Sequence, residues 1–495
     1  MAEKSLKQKA ASGIVWTALH KYSTMFIQFV SGIILARLLT PYDYGCIGML
    51  SIFMVLSESF IDGGFGSALI QKKQPTQEDY STIFFWNLGM AIFIYVILFA
   101  AAPAIASFYN IPLLREVLRV QGIVLFIYAF NIVQRNQLRK NLNFKILSVV
   151  AITTSIISLS VTIIMAYTGF GVWALVAQHL ITAAIPAIIF WFFIKWRPLW
   201  TFSWRSFKEL FSFGFYMFLT HLINNFGNKI QGLLIGKVFS PVTMGYYSKA
   251  ESTEKLASTN ISNIMTHVTF PLYAEAQDNK LALSNMIKKL TMTLEYITFP
   301  LMFILLLCAK PFFVLLYSER WVQSVPYFQV LCFAGLAGCL QSVNLQAISA
   351  IGKSKVMFVW TVIKRSVGIG AIFGGLLFFG MEGLLIGVIV NYYFSFFVNI
   401  NLVSKYVGYK FWIQIANLLP VAVISIIAAG ISYAAGCLLH LNMYLDGLLK
   451  AFIFVIIYIG WSFIFKPEAY TYFLTIIPNR LKLYKKLKKG DKTIE

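Results

Sequence analysis

Charge is scarce in this chain. Only 12% of its 495 residues are Asp, Glu, Lys or Arg, about half of what a soluble globular domain carries. In their place stand hydrophobic residues at 59% and aromatic residues at 16%. A water-soluble chain of this make-up would expose far more apolar side chain than folded surfaces do, which excludes a soluble enzyme. So apolar a chain is not disordered either. Cysteine is sparse too: Cys46, Cys308, Cys332, Cys339 and Cys437 lie in or beside apolar stretches, with no C-x-x-C pair. They read as small buried hydrophobes, not as a secreted disulfide scaffold or a metal centre. The five histidines, His20, His179, His221, His267 and His440, are scattered, and none is spaced as a metal pair. A Gly-rich phosphate loop ending in Lys-Ser/Thr is missing, so nucleotide hydrolysis is not expected. No catalytic residue stands out, and the sequence calls for no enzyme activity, cofactor or metal.

What the chain has in quantity is long apolar runs. A membrane-spanning helix needs about 20 mostly apolar residues. Bounding the runs at Pro, Gly and charge clusters gives an all-α polytopic membrane protein with about 14 transmembrane helices. Six fall in 1–200, six in 201–407 and two in 408–466, followed by a basic tail over 467–495. The run after Lys9 reaches Leu38 without an A-x-A site, which favours a first spanning helix over a cleaved signal peptide.

Lys and Arg outnumber Asp and Glu by 41 to 19. In a soluble protein that excess would suggest nucleic acid, but no soluble domain is left to bind it. In a membrane protein the excess belongs on the cytoplasmic side. With the N-terminus inside, 28 basic residues fall on the inner side and 7 on the outer, so both termini are expected in the cytoplasm. The segment from Arg480 to Lys492 reads as an amphipathic stretch against anionic inner-leaflet lipid.

The sequence also repeats. Arg37-Leu38-Leu39-Thr40-Pro41-Tyr42-Asp43-Tyr44-Gly45 aligns with Lys237-Val238-Phe239-Ser240-Pro241-Val242-Thr243-Met244-Gly245. Pro103 and Tyr109 align with Pro311 and Tyr317, and Gly169 and Gly171 fall opposite Gly380 and Gly383. One repeat covers six spans, so both copies keep the same orientation. Parallel repeats of this kind mark two-lobed transporters.

Ionisable groups at membrane depth are costly and tend to face a cavity or a partner. Lys21, Lys255, Lys364 and Arg365 lie near mid-span, and Lys229 sits among Asn224, Asn225 and Asn228. These residues, with Asn228, are the candidate cationic, substrate-binding set. The candidate coupling or gating carboxylates are Glu58 and Asp62, Glu251 and Glu254, and Glu295. Glu251 and Lys255 form an i,i+4 pair in the favourable order. Lys249, nearer the outer interface, is expected to snorkel. Asp62-Gly63-Gly64-Phe65-Gly66 is expected to interrupt its helix. The coupling ion, H+ or Na+, is left open.

Several segments carry a resemblance. Ala36 to Gly45 is similar to the ARLLTPxDYG signature of Wzx-type polysaccharide repeat-unit exporters. Asp62 to Gln71 resembles that family's DxGxGxALIQ run, Gly169 to Val176 its GxGVWALV run, and Leu138 to Phe144 its LRRxLxF loop. These motifs belong to the colanic-acid-exporter-like branch of the polysaccharide transporter family, in the multidrug/oligosaccharidyl-lipid/polysaccharide superfamily. They are dense in the first half of the chain and weaker in the second. The resemblance implies two six-helix lobes, two further helices and a cavity that alternates between the membrane faces. It implies a flippase carrying an undecaprenyl-diphosphate-linked oligosaccharide from the inner to the outer leaflet of a bacterial inner membrane. The partners it implies are that lipid-linked oligosaccharide, the membrane lipids, and a polysaccharide polymerase with its assembly proteins. A diphosphate suits the cationic set. The competing expectations are an ion-coupled drug exporter of the same superfamily, an assembly subunit for envelope polysaccharide, and a membrane-embedded glycosyltransferase.

Overall fold

Backbone groups have no water to bond in a bilayer, so a chain this apolar must satisfy them within each segment, as helices. The computed structural model describes residues 2–141 and 143–474, and every regular element among them is helical. The basic segment from Arg480 to Lys492 lies outside the described residues. The helices gather into two compact units that divide between Lys249 and Ala250.

The first unit contains α1 (Ala2–Leu38), α2 (Pro41–Asp62), α3 (Phe65–Gln71), α4 (Gln77–Tyr109), α5 (Leu113–Gln121), α6 (Ile123–Lys140), α7 (Phe144–Tyr167), α8 (Val172–Phe193) and α9 (Trp204–Val238). The helix α10 (Pro241–Glu275) begins in the first unit and ends in the second. The second unit continues with α11 (Lys280–Leu307), α12 (Ala309–Tyr317), a 3-10 turn (Glu319–Ser324), α13 (Val325–Ala350), α14 (Ser354–Val407), α15 (Phe411–Leu439) and α16 (Met443–Phe465). Ten of the described helical segments are long and apolar enough to cross a membrane. The multi-pass helical architecture expected from the sequence is therefore the one observed. The helices α9 and α10 have the length, at 35 residues each, and carry the charges Lys229, Lys249, Glu251, Glu254 and Lys255.

Local chemistry sets the helix starts. Thr40 and Thr76 both form capping boxes, with Asp43 and Asp79 returning a hydrogen bond to the cap backbone, which satisfies amides that a helix start leaves open. The expected break after Asp62 is present: Gly63 and Gly64 take φ of 52° and 78° and separate α2 from α3.

The repeat is legible in the backbone. Thr40 caps Asp43 as Ser240 caps Thr243, through N to Oγ distances of 3.4 and 3.1 Å. After Tyr109 and Tyr317 the chain turns left-handed, at Asn110 (φ 57°) and Ser318 (φ 87°). Gly171 (φ 53°, ψ −126°) shares an unusual conformation with Gly380 (φ 60°, ψ −134°). Only glycine adopts that region readily, so the structural partner of Gly380 is Gly171, not Gly169 as the linear alignment has it.

Within the first unit α9 packs along α2, α3 and α4. Phe65, Phe84, Val133 and Phe207 meet in a buried core where α3, α4, α6 and α9 converge. Beside this core Lys72 bridges Asp79 and Glu209 at 3.0 Å each. Burial disfavours the Lys72 ammonium, but the two carboxylates outweigh it and hold its pKa above the ordinary lysine value. Lys140 donates to the carbonyls of Leu69 (3.2 Å), Ile70 (3.0 Å) and Lys72, capping the end of α3 with one charge. Lys140→Ala leaves three carbonyls short of a donor. It is expected to lower the melting temperature of the detergent-solubilised protein by the equivalent of about 1–3 kcal/mol, whereas Glu209→Gln, at a more exposed pair, is expected to cost about 1 kcal/mol or less.

Candidate functional site

Two cavities with mainly apolar walls and a few polar groups open inside the first unit, and Arg135 of α6 lines both. One, of about 420 Å³, is bordered by Glu58 of α2, Gln121, Tyr128 and Arg135, and by His179 and Thr182 of α8. The other, of about 350 Å³, is bordered by His20 of α1, Arg135 and Arg139, and by Ser148 and Pro186. The Arg135 guanidinium donates to Asn131 Oδ1 at 3.0 Å and lies 5.3 Å from the centre of the Tyr128 ring. Its fork is thus held from below by its own helix. Gln121 meets His179 at 2.9 Å across the first cavity. Glu58, Asp62, Arg135 and Arg139 all lie within electrostatic reach of Tyr128. A planar, permanently charged guanidinium in a walled pocket suits an anion with several oxygens, such as a phosphate.

The expected site residues divide between the two units. In the first, His20 lines the cavity, while its neighbour Lys21 is not among the lining residues. Glu58 faces Arg135 across the larger cavity. Asp62 accepts from the backbone amides of Gly64 and Gly66, so it braces the helix break. Lys229 is half-buried and Asn228 exposed on α9. Nearby Asn225 donates to Ser59 Oγ at 2.9 Å and ties α9 to α2. Lys249, expected to snorkel, is instead 3% exposed. Its ammonium donates to the Gly32 carbonyl at 2.7 Å and sits 5.2 Å from the Tyr44 ring centre. The backbone oxygen of α1 replaces the water that snorkelling would have reached.

In the second unit Glu251 and Lys255 form the expected ion pair at 2.5 Å. Tyr392 of α14 lies in electrostatic reach of Glu251, Glu254, Lys255 and Arg365. These four charges and one phenol make a counterpart to the Tyr128 group of the first unit. Glu254 also bonds the Ser258 side chain. Lys364 is 8% exposed and donates to Asn399 Oδ1 at 2.9 Å, so its charge is engaged within α14. Glu295 is fully buried on α11.

Arg135 and Arg139 are the residues that reading the sequence misses, because they count there as inner-loop charges. The helix α6 continues to Lys140 and places both on the helix, Arg135 half-buried and Arg139 exposed in its last turn. The missed signal is a polar stripe of Tyr128, Asn131, Arg135 and Arg139, at spacings of three and four that fall on one helix face.

One close approach links the two copies of the repeat within the first unit. A Cβ on Gly45 would overlap the backbone carbonyl of Pro241, and a Cβ on Gly245 would overlap that of Pro41. The contact is reciprocal: each Pro-x-x-x-Gly turn receives the other, as in a self-complementary interface. Gly48 adds a second close approach, to Ser248 and Met244. Backbones this near exchange weak Cα–H···O contacts, and larger residues would hold them apart.

Comparison with known proteins agrees with this construction. Residues 34–326 match the family described as "Polysaccharide biosynthesis protein". The teichuronic acid biosynthesis protein TuaB of Bacillus subtilis is 26% identical over 72% of this chain and 74% of its own length. The lipopolysaccharide biosynthesis protein WzxC of Escherichia coli is 24% identical over 85% of this chain and 88% of its own. Among solved structures, a lipid II flippase MurJ in an inward closed conformation superposes with a TM-score of 0.74 at 15% identity, covering 91% of this chain and 98% of that one. An inward-facing multidrug resistance MATE transporter of the MOP superfamily gives 0.59 at 16% identity, over 83% and 99%. The fold is the one these transporters share, and the chain belongs to the polysaccharide biosynthesis protein family.

Proposed function

We propose that this protein is a flippase that carries a lipid-linked oligosaccharide, on an undecaprenyl-diphosphate carrier, from the inner to the outer leaflet of the bacterial cytoplasmic membrane. The observation that carries the reading is the placement of Arg135 and Arg139 on walled cavities inside a membrane-spanning unit. Arg135 is half-buried where it borders both cavities and Arg139 is exposed in the last turn of α6, and a diphosphate head group offers oxygens to both guanidiniums. The family match and the names of its relatives, among them a succinoglycan biosynthesis transport protein of Rhizobium meliloti, support the same cargo class. A drug exporter for cationic compounds would need carboxylates free to receive its cargo. Here Glu251 is paired with Lys255, Asp62 is bound to backbone amides, Glu58 shares its cavity with Arg135, and the unpartnered Glu295 is fully buried.

In this reading Arg135 and Arg139 bind the diphosphate, with His20 and Gln121 positioned for the first sugar. Lys255 and Arg365, beside Tyr392, form a second anion-binding station. Lys21, Lys229, Lys364 and Asn228 line the route or brace it, and both termini lie in the cytoplasm. Access alternates between the membrane faces, with the paired turns at Gly45 and Gly245 closing the outer end. The lipid tail stays in the bilayer, so only the polar head needs a protein path. The polysaccharide polymerase and its assembly proteins act on the product.

Gene deletion in the host tests this reading. The deletion strain is expected to lose surface polysaccharide and to trap lipid-linked repeat units inside. Wild-type protein restores export, whereas Lys255→Ala and Arg365→Ala restore it only in part. Normal polysaccharide together with new drug sensitivity would overturn the cargo assignment.

A further inference from the structure

Among the described carboxylates Glu295 alone has both oxygens buried and without a hydrogen-bond partner, and its residue is 0% exposed. Of the other candidates for coupling, Glu251 is engaged by Lys255, Asp62 by backbone amides and Glu254 by Ser258 through one oxygen, while Glu58 shares a cavity with Arg135. The helices packed against α11 offer Glu295 no counter-charge. The sequences of α13 and α15 contain no Asp, Glu, Lys, Arg or His. Asp446 and Lys450 of α16 are paired with each other at 2.6 Å. On α14 Lys364 is bonded to Asn399, and Lys355, Arg365, Glu382 and Lys405 of that helix lie beyond electrostatic reach of Glu295; the one charge on α12, Lys310, stands in that helix's first turn. The titratable groups in electrostatic reach of Glu295 are two phenols, Tyr458 of α16 and Tyr409 at the entry to α15.

An ionised carboxylate in such a place costs several kcal/mol with nothing to repay it. A bound metal cation would need a shell of oxygens around the carboxylate, and no polar partner stands at hydrogen-bond distance. A proton needs neither. Hydroxyls also run past the site: Tyr458 donates to the Tyr296 carbonyl at 2.9 Å, and Tyr296 donates to Ser462 Oγ at 2.9 Å. Glu295 lies seven residues, about 10 Å, along α11 from Lys288. There Lys288 meets Glu468 at 2.7 Å, beyond the end of α16. Both side chains of that pair are partly exposed, so that end is open to solvent.

We propose that Glu295 is the proton-binding site that couples transport to a proton gradient. It is neutral in the conformation described and releases its proton when α11 and α16 shift their hydroxyl contacts and admit water. The inference rests on the transport reading above and adds the driving ion to it.

Dicyclohexylcarbodiimide, which adds to protonated carboxyls in apolar surroundings, tests the site on the full-length wild-type protein in mild detergent. Labelling at each carboxylate is read by peptide mass spectrometry across a pH series. Glu295 is expected to take the label, and its labelling to fall about tenfold per pH unit beyond its midpoint. Asp62 and Glu251 remain weakly labelled. E295Q removes the label from its peptide and is expected to abolish export while eluting normally on size exclusion. An unlabelled Glu295, labelling unchanged across the series, or full export by E295Q each overturns the proposal. The labelling needs no cargo, so its failure is separate from a failure of the gene-deletion test.

Discussion

Gly45→Val is expected to abolish polysaccharide export while leaving the protein in the membrane at near-normal abundance. The reason is steric. Position 45 has no room for even a Cβ against the Pro241 carbonyl, and position 245 has none against Pro41. A valine at either site must push the two turns apart, and overpacking of this kind costs about 1–3 kcal/mol and occasionally more. A bias of 3 kcal/mol on a two-state transporter shifts its populations more than a hundredfold. If the paired turns seal the outer end, such a shift depletes the closed state and stops the cycle. Gly245→Val is expected to give the same phenotype, because the contact is reciprocal. Gly45→Ala combined with Gly245→Ala is expected to lose less than the sum of the two single losses, since both act on one interface. Surface polysaccharide, membrane abundance by immunoblot and a double-mutant cycle on export check these outcomes.

Arg135→Gln is expected to lower export about 10- to 100-fold. A charge-assisted hydrogen bond is worth about 1.5–3 kcal/mol, which spans that range. Arg135 also donates to Asn131 and lies over the Tyr128 ring, so a loss at this position mixes binding with structure. Arg135→Lys separates the two effects. It keeps the charge but loses the planar fork, and is expected to retain an intermediate level of export. Asn131→Ala frees the guanidinium from its brace without removing it and is expected to cost less than Arg135→Gln. Accumulation of lipid-linked repeat units inside the cell should track the export loss across this series.

The features legible in the sequence were those built from neighbouring residues. The Thr40-Pro41 and Ser240-Pro241 turns are local capping chemistry, so the repeat could be read before any contact was known. The Glu251–Lys255 pair follows from helical spacing, and the break after Asp62 from two adjacent glycines. What stayed hidden depends on distant partners. The repeat gives the register of Gly45 and Gly245 but not that each seats on the other's proline. Lys249 finds the Gly32 carbonyl 217 residues away, and Lys364 finds Asn399 across the Gly380 break. Arg135 and Arg139 were misplaced for another reason. A count of loop charges ends a helix at its first basic residue, whereas α6 uses its basic residues as the cavity wall.

Flipping in a purified system tests the central claim most directly. Proteoliposomes containing the full chain would be loaded with fluorescently tagged undecaprenyl-diphosphate-linked oligosaccharide from the host. Appearance of the tag in the opposite leaflet is then followed by a membrane-impermeant quencher. Wild-type protein is expected to move the lipid well above the rate of protein-free vesicles, Arg135→Gln to slow it about tenfold or more, and Gly45→Val to stop it. Movement no faster than in empty vesicles, with the wild-type chain folded and inserted, would contradict the assignment.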